Sequence, residues 1–276
     1  MKIKISTKLI SDLKSRALNV RRNIIIASAK AGSVHIASAL SPVDVLVTLY
    51  FDTLRANPKD TQNPNRDRFI LSKGHGGLGL YCVLAERGFI SNKLLDRFGQ
   101  DDSILTVHPV WGSAPGIEAT TGSLGHGLGM GLGMALSQKR DKKPGRSFVM
   151  LSDGECDEGS TWESVMLAGH LGLDNLVAIV DYNKLQCYGR VKEILDLEPF
   201  ASKWRANKWE VVEVDGHKFD QLVPVLRKIP LRKGKPTVII AHTVRGKGLP
   251  FIENTIEGYY VNIKQGDLEN TLAEVY

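Results

Sequence analysis

Two continuous apolar runs on either side of a helical segment constrain the fold of this 276-residue chain more than any other feature. Residues 147–151 and 176–180 are apolar at nearly every position, and residues 159–171 between them have helical character. A strand without an exposed polar face is buried on both sides, as in the βαβ units of parallel sheets. The sequence therefore predicts an α/β protein built on a parallel sheet.

Further segments extend this unit to a doubly wound, mostly parallel sheet. Apolar spacing predicts a helix over residues 7–31 and a second helix that begins at Ser41-Pro42. The other candidate elements are strands at residues 68–72, 209–214 and 237–241 and a helix near residues 219–229. Because no linker-like stretch or internal repeat interrupts the pattern, we expect a single domain over residues 1–276.

The charge of the chain does not indicate a nucleic-acid partner. The formal net charge of +6 comes from short, scattered basic clusters such as Arg21-Arg22, without interleaved aromatic residues. No apolar run approaches the ~20 residues that a membrane-spanning helix needs. We therefore expect a protein that contacts neither nucleic acid nor membrane.

The three cysteines indicate a reducing compartment. Cys82, Cys156 and Cys187 stand far apart and form no Cys-x-x-Cys pair. This pattern supports neither a disulfide framework nor a zinc site, both of which need paired or clustered cysteines. We therefore expect a cytoplasmic protein.

Polar residues follow the two apolar runs at the point where each strand should end. Asp153 and Gly154 follow the first run, and Asn183 follows the second, so that 30 residues of separation bring them to one edge of the sheet. Carboxylate and amide oxygens suit Mg²⁺ or Ca²⁺, and glycine lets the backbone approach a phosphate. The alternative is that Asp153 and Asn183 are turn and cap residues without a ligand.

The order and spacing of these residues resemble a known signature. Asp153-Gly154-Glu155, followed about 30 residues later by Asn183, is similar to the thiamine-diphosphate signature of the transketolase family. Other segments look like transketolase counterparts as well: residues 31–44 with His35, 72–75, 108–109, 120–125 and 241–248. The resemblance thus covers most of the chain and implies a thiamine-diphosphate-binding fold.

The resemblance implies a cofactor site and its ligands. Mg²⁺, for which Ca²⁺ or Mn²⁺ can substitute, is expected at Asp153, Asn183 and the backbone carbonyl of Leu185. Thiamine diphosphate is expected to contact the following residues: His75, Gly122, Ser123, Leu124, Asp153, Gly154, Glu155 and Asn183. Among these, His75 and Gly154 belong near the diphosphate, and Leu124 beside the thiazolium or pyrimidine ring.

Histidines in loops are the candidate proton carriers. By the resemblance, His35 and His108 face the hydroxyl groups of a sugar, where imidazole suits proton transfer near neutral pH. Five of the seven histidines lie in loop or turn contexts, namely His35, His75, His108, His126 and His242. The alternative for a single loop histidine is a polar surface role, and we assign His170 and His217 to that role.

The resemblance also implies a partner chain. Transketolases move a two-carbon ketol unit from a ketose to an aldose, and they need a glutamate from a pyrimidine-binding domain. We expect a separate C-terminal subunit to supply that domain in an α2β2 hetero-oligomer that acts on sugars or sugar phosphates. Glu158 and Glu163 should lie near the subunit interface, where the family couples its active sites through acidic residues.

The sequence departs from the family pattern in three places. Ser152 stands in place of the first glycine of Gly-Asp-Gly, and His126 stands in place of a common glutamine. Residues 258–260, Gly-Tyr-Tyr, occupy a stretch where relatives carry Trp-His, so a histidine expected near the diphosphate and substrate is absent. The change at Tyr259 bears on substrate choice and on transketolase activity itself.

Two other functions compete with this interpretation. Residues 74–79 satisfy the Gly-x-Gly-x-x-Gly pattern of an NAD(P)-binding oxidoreductase, although Asp101 and Asp102 follow a helical segment and not the second strand that the motif requires. A non-catalytic regulatory subunit of the same fold is the second alternative. For the glycine-rich residues 122–133 we expect a helix that contacts the cofactor or a second subunit, or else one that only packs tightly.

Overall fold

Five parallel strands form the centre of the structure, a computed structural model that describes residues 5–32 and 35–276. The strands of this sheet are β1 (Arg68–Leu71), β2 (Ser147–Ser152), β3 (Leu176–Tyr182), β6 (Glu210–Asp215) and β7 (Thr237–His242). Two further strands, β4 (Leu185–Gln186) and β5 (Gly189–Arg190), form a separate antiparallel hairpin between β3 and β6 in the chain. The order across the sheet is β1-β2-β3-β7-β6, and all four pairings are parallel. The chain leaves β3 for the edge strand β6 and then returns to β7 between them.

Helices cover both faces of this sheet. They are α1 (Thr7–Ala31), α2 (Ile36–Leu40), α3 (Val43–Thr48), α4 (Gly77–Arg87), α5 (Asn92–Leu95), α6 (Gly127–Arg140), α7 (Gly159–Leu171), α8 (Val191–Ile194), α9 (Phe200–Ala206), α10 (Phe219–Arg227) and α11 (Leu268–Glu274). A π-helical turn at Leu49–Thr53 extends α3. The predicted doubly wound α/β fold is confirmed.

Alternation along the strands builds two hydrophobic cores, one on each face. Phe148 and Met150 of β2 pack into the core beneath α1, α3, α4 and α10, whereas Val149 and Leu151 pack into the core beneath α6, α7 and α9. Side chains alternate between the faces of a strand, so a strand covered on both faces must be apolar throughout. This is why β2 and β3 are buried at every position.

The longest helices agree with the sequence pattern. Helix α1 spans the predicted residues 7–31, capped by the Ser6 hydroxyl, and α7 spans 159–171. The glycine-rich helix α6 begins later than the glycine run, because Gly122 and Gly125 have φ values of 143° and 82°, which a right-handed helix cannot contain.

One apolar stretch is long enough to resemble a membrane span. Ile36–Thr53 is 18 residues long and apolar, but 89% of it is buried inside the protein. It forms α2, α3 and the π-helical turn, which pack against α1, α4 and α10. Its apolar character is therefore explained by the core of this fold.

Candidate functional site

A cavity of about 110 Å³ lies at the carboxyl ends of the central strands. Its walls include residues from the ends of β1, β2, β3 and β7 and from the hairpin β4–β5. Ligands of open parallel sheets bind at this edge, because the loops that follow neighbouring strands converge there. The lining includes the following residues from the sequence analysis: His75, Leu124, Asp153, Gly154, Asn183 and Leu185.

Asp153 places a buried carboxylate at the base of the cavity. It is 1% exposed, and it accepts hydrogen bonds from the backbone N–H groups of Gly154, at 2.8 Å, and of Lys184. Burial, together with the neighbouring carboxylate of Asp181, raises the pKa of Asp153 to about 7. A carboxylate in this setting is stabilised by a bound cation.

Asn183 and Leu185 lie beside Asp153 because the chain turns sharply after β3. Lys184 adopts a left-handed φ of 67°, and Asn183 Oδ1 accepts the N–H of Leu185 at 3.0 Å. No three His, Cys, Asp or Glu side chains converge as a metal site within residues 5–32 and 35–276. One carboxylate, one amide oxygen and one carbonyl still fit Mg²⁺, which completes its octahedron with phosphate oxygens and water.

Two glycines allow close packing of the loops around the candidate metal ligands. A Cβ on Gly154 would lie 2.9 Å from Cγ of Gln186, and a Cβ on Gly74 would lie 2.7 Å from the backbone of Thr121 and Gly122. These glycines therefore allow the loops on either side of the cavity to pack closely against neighbouring protein atoms. The buried carboxylate of Asp153, which lines the cavity, fits a metal-bound diphosphate.

Three histidines gather above the cavity. The ring centroid of His35 lies 5.9 Å from that of His75 and 6.4 Å from that of His108. His35 has a left-handed φ of 69°, and its buried Nδ1 has no hydrogen-bond partner among the described residues. Burial lowers the pKa of all three imidazoles, most strongly that of His75. The neutral rings can accept protons at neutral pH, and the strain at His35 is typical of functional sites.

Tyr259 lies in the stretch where the family resemblance leads us to expect a histidine. Its ring packs edge-on against His35 at 4.7 Å, and its carbonyl accepts the N–H of His35 at 3.3 Å. It also lines the cavity. The segment that departs from the family pattern therefore still reaches the site, with a phenol ring in contact with His35. Ser33 and Val34, which belong to the same family-like segment as His35, lie outside the described residues.

The remaining candidates lie around the cavity and not within its lining. Gly122 packs against the His108 ring, where a Cβ would lie 2.8 Å from Cδ2, while Ser123 is exposed. Glu155 is fully buried, and its carboxylate accepts hydrogen bonds from the Ser72 hydroxyl and from backbone N–H groups. Glu155 thus connects the loops that form the walls of the site.

Glu158 and Glu163 lie on the surface of the protein and not in the lining of the cavity. Both are exposed, at the beginning and in the first turns of α7. Neither side chain lines the cavity or has a described ion-pair partner. Any catalytic role for these two residues requires another chain.

A buried ion pair beneath the candidate metal ligands is not marked by any local sequence motif. Lys73 Nζ donates to Asp181 Oδ2 at 2.5 Å, and both side chains are 1% exposed. Ser41 also donates to this carboxylate at 2.6 Å. Burial alone would raise the pKa of Asp181, but the Lys73 charge holds it below its usual value. The end of β3, which leads to Asn183, is therefore held by a buried, hydrogen-bonded ion pair.

Arg245 and His217 are two further side chains that sequence reasoning missed. Arg245 is 2% exposed and lines the cavity. His217, which the sequence analysis assigned to the polar surface, is mostly buried: its side chain is 14% exposed and hydrogen-bonded to Asp44. That assignment is wrong, whereas His170 is exposed. No local sequence motif marks His217 as buried, because its partner Asp44 lies 173 residues away in the chain.

A larger surface cavity, of about 570 Å³, lies at the opposite edge of the sheet, near the amino ends of β2 and β3. Its arginines are engaged: Arg227 pairs with Asp52, and Arg55 and Arg146 pair with Asp67. We place the functional site at the carboxyl edge, because the buried carboxylate of Asp153 and the left-handed backbone of His35 and Lys184 occur there.

The Gly-x-Gly-x-x-Gly motif at residues 74–79 has a packing explanation. A Cβ on Gly77 would lie 2.7 Å from the carbonyl oxygen of Val107, and one on Gly79 would lie 2.6 Å from that of Ala39. These glycines allow α4 to approach neighbouring backbone. The motif requires an acidic residue about 20 positions on at the end of a second strand, but Asp101 and Asp102 follow α5, and the next described strand, β2, begins only at Ser147. The dinucleotide interpretation therefore lacks support in the structure.

Comparison with known proteins agrees with the geometry. A family model described as transketolase, thiamine diphosphate binding domain, matches residues 13–274. The chain is 41% identical over 266 residues to one of the subunits of the apulose-4-phosphate transketolase of Actinobacillus succinogenes. It is 38% identical over 264 residues to the 6-deoxy-6-sulfo-D-fructose transketolase subunit SqwG of a Clostridium species. Each of these matches spans 96% of both chains.

Whole transketolases are similar over part of their length. The transketolase structure from Leishmania mexicana superimposes with a TM-score of 0.89 at 27% identity and covers 95% of this chain and 41% of that one. Transketolase of Rattus norvegicus is 37% identical over 265 residues, which is 96% of this chain and 42% of the rat protein. Since the family model and these relatives match almost all of the sequence, the chain belongs to the transketolase family and carries its thiamine-diphosphate-binding domain.

Proposed function

We propose that this chain is the diphosphate-binding subunit of a split transketolase, and that residues 1–276 act as one domain. It binds thiamine diphosphate with Mg²⁺ and takes part in moving a two-carbon ketol unit from a ketose to an aldose. The observation that carries this proposal is the convergence of Asp153, Asn183 and Leu185 on one cavity at the carboxyl edge of the sheet.

The cation is assigned to residues that already face the cavity. Asp153 supplies a carboxylate, Asn183 an amide oxygen and Leu185 a backbone carbonyl, and the diphosphate supplies further oxygens. Ca²⁺ or Mn²⁺ can replace Mg²⁺ at such hard oxygen ligands. Gly154 and His75 flank the diphosphate, and Leu124 contacts a ring of the cofactor.

The histidines bind the sugar and move its protons. When bound, thiamine diphosphate supplies the electron sink for the two-carbon unit. His35 and His108 are neutral near pH 7 because burial lowers their pKa values, so each can accept a proton from a sugar hydroxyl and return it. Tyr259 keeps the ring of His35 in place by edge-on packing.

A separate pyrimidine-binding subunit completes the site in an α2β2 assembly. The relatives matched over 96% of their length are named transketolase subunits, which supports a partner for this chain. Helix α7 also exposes Met166, Leu167 and Leu171, an apolar surface beside Glu158 and Glu163. Exposed apolar residues on one helix are typical of a protein interface.

The substrates belong to the class of ketose and aldose sugars or their phosphates. One relative is named for apulose 4-phosphate and another for 6-deoxy-6-sulfo-D-fructose, so acidic groups on the sugar are compatible with this type of protein. The cytoplasm is the proposed location. Its reducing conditions suit three free cysteines, of which Cys82 and Cys156 are buried.

Two measurements test the proposal. Calorimetric titration of the isolated chain should show saturable binding of thiamine diphosphate that requires Mg²⁺. NADH should produce no saturable heat; saturable NADH binding without cofactor binding would support an oxidoreductase.

The second measurement is reconstitution. The chain should be produced together with a candidate pyrimidine-binding partner and supplied with ketose donors and aldose acceptors. Turnover should need both chains. Bound cofactor without turnover across the panel would favour a regulatory subunit.

A further inference from the structure

The positive charge of the chain is concentrated at the amino edge of the sheet, away from the candidate functional site. Residues 139–146 and 227–235, here called the basic rim, contain ten lysines and arginines and a single acidic residue, Asp141. Because the formal net charge of the whole chain is +6, the residues outside the basic rim together carry a net negative charge. Charge of one sign gathered in one place raises the local concentration of ligands of the opposite sign.

The two segments of the basic rim meet at the turn between α7 and β3. Lys139 Nζ donates to Asp174 Oδ1 at 2.8 Å, and Asp174 Oδ2 accepts the N–H of Gly234 at 2.8 Å. Several basic side chains of the rim form no ion pair within residues 5–32 and 35–276: Arg140, Lys142, Lys228, Lys233 and Lys235. The turn therefore brings together positive charges that the described part of the protein does not neutralise.

The surface cavity of about 570 Å³ lies between these two segments. Pro144 and Arg146 line it from the first segment, and Arg227, Ile229 and Pro230 line it from the second. Pockets that bind small molecules have volumes of roughly 300–1,000 Å³. The cavity is therefore large enough for an organic anion and not only for a single inorganic ion.

Three arginines in the cavity lining each keep one edge of the guanidinium free. Through Nε and Nη2, Arg55 and Arg146 bond Asp67, and Arg227 bonds Asp52 in the same way. The two carboxylates are 0% and 5% exposed, so they hold the arginines in place. Nη1 of each arginine has no hydrogen-bond partner in the described part of the chain. Fixed guanidinium groups with free N–H donors suit phosphate oxygens.

Apolar side chains form the rest of the lining. Pro144 and Pro230, one from each segment of the basic rim, are exposed, and Leu226 and Ile229 lie beside them. Pockets for small molecules combine such apolar surface with a few placed polar groups. A ligand that fits both parts of this cavity has a flat ring system joined to two or more phosphate groups.

We propose that this cavity is a second ligand site, and that it binds a nucleoside di- or triphosphate. Arg55, Arg146 and Arg227 bind the phosphate oxygens, the basic rim attracts the anion, and the two exposed prolines pack against the base. The cavity lies near the amino ends of β2 and β3, whereas Asp153 follows the carboxyl end of β2. The inference is therefore independent of the proposed function.

Calorimetric titration of the full chain with ATP tests the proposal. The buffer contains EDTA, which removes the metal ion that the candidate functional site needs. ATP should bind saturably, and its affinity should fall as the salt concentration rises, because salt screens exposed charges. Inorganic tripolyphosphate lacks the base and should bind about 10-fold more weakly, the effect of losing part of the buried apolar surface.

Variants of the rim separate the arginine contacts from general attraction. Arg227→Lys keeps a positive charge for Asp52 but loses the free edge of the guanidinium, so the affinity for ATP should fall about 10-fold. Lys228→Gln/Lys233→Gln removes two exposed charges of the rim and should weaken both the affinity and its salt dependence. Lys14→Gln/Lys93→Gln, at exposed lysines elsewhere, is the matched control and should bind ATP as the wild-type chain does.

Amide hydrogen exchange locates the bound nucleotide. ATP should slow exchange in residues 141–146 and 227–235 and leave residues 183–186 unchanged. The absence of saturable ATP binding, or equal affinities for ATP and tripolyphosphate, would overturn the inference. Loss of ATP binding in Asp153→Asn with wild-type affinity in Arg227→Lys would also overturn it, because the nucleotide would then lie in the carboxyl-edge cavity.

Two further outcomes distinguish this inference from its neighbours. Tighter binding of a single-stranded RNA oligonucleotide than of ATP, with slowed exchange beyond the basic rim, would reject a small-molecule site in favour of a nucleic-acid surface. A wild-type chain that binds thiamine diphosphate but not ATP would reject this inference alone. One that binds ATP but not thiamine diphosphate would reject the proposed function and support the second site.

Discussion

Lys73 and Asp181 form an ion pair with both side chains 1% exposed, directly beneath the strand end that carries Asn183. Neither charge can be solvated in the folded protein, so each depends on the other. The pair joins the loop after β1 to the end of β3, and it supports the turn in which the candidate metal ligands lie.

Lys73→Met should destabilise the fold by about 3–5 kcal/mol, because it leaves the carboxylate of Asp181 buried without its cation. The double variant Lys73→Met/Asp181→Asn should recover much of this loss. Lys30→Met is the matched control, because Lys30 and its partner Asp96 are 39% and 58% exposed. This variant should change the free energy of unfolding by less than about 1 kcal/mol. Urea unfolding measures the stability of all three variants. Equal losses in Lys73→Met and Lys30→Met would show that the buried pair contributes no more to stability than an exposed one.

Two glycines of α6 should respond in opposite directions to alanine. A Cβ on Gly131 would lie 2.2 Å from Cγ2 of Val149 in the sheet, so Gly131→Ala should cost about 1–3 kcal/mol. A Cβ on Gly133 meets nothing within 4 Å, so Gly133→Ala should stabilise the isolated chain by up to ~1 kcal/mol through helix propensity. Thermal unfolding of the two variants provides the comparison. Similar destabilisation by both would mean that the helix does not pack as described.

Asp153→Asn should abolish the Mg²⁺ dependence of thiamine diphosphate binding and lower the affinity by roughly 100-fold or more, since it removes the only carboxylate among the assigned ligands. The fold should persist with a modest loss of stability, because the two carboxylate oxygens each accept one N–H group, from Gly154 and from Lys184, and the amide keeps only one acceptor oxygen. Calorimetry with and without EDTA measures the first effect, and circular dichroism measures the second. Asp141→Asn, at an exposed position, is the control. Unchanged affinity in Asp153→Asn would refute the metal assignment.

Acid should destabilise the chain through His75. Burial, with the nearby charge of Lys73, lowers the pKa of His75 well below 6.5 in the folded state. Below about pH 6.5 the unfolded chain therefore binds more protons at this residue than the folded chain does, and the free energy of unfolding falls with pH. The contribution of this one group is at most about 1.4 kcal/mol per pH unit, and it is fully present above its unfolded pKa. Urea unfolding between about pH 7 and about pH 5 should show a smaller fall for His75→Gln than for the wild-type chain.

Much of the fold could be predicted from local patterns. The apolar runs of β2 and β3 and the helices α1 and α7 are each determined by residues close together in the chain. The convergence of Asp153 and Asn183 could be inferred as well, because parallel strands bring their carboxyl ends to one edge. The structure places both residues, with Leu185, at the same cavity.

The supporting contacts could not be predicted, because each joins residues far apart in sequence. Lys73 reaches Asp181 across 108 residues, and His217 reaches Asp44 across 173. A lysine next to a glycine-rich turn and a histidine in a loop look the same in sequence whether they are solvated or buried. Only the packing of α1, α3 and the loops around β7 decides which of them is enclosed.

Two consecutive residues of the hairpin β4–β5 offer their carbonyl groups to positive charges. Leu185 presents its carbonyl to the proposed cation, and the carbonyl of the next residue, Gln186, holds the guanidinium of Arg245 at 3.0 Å. One short hairpin thus links a proposed cation ligand to the buried guanidinium of Arg245 in the same cavity. Metal ion and coenzyme should therefore bind cooperatively, each raising the affinity of the chain for the other.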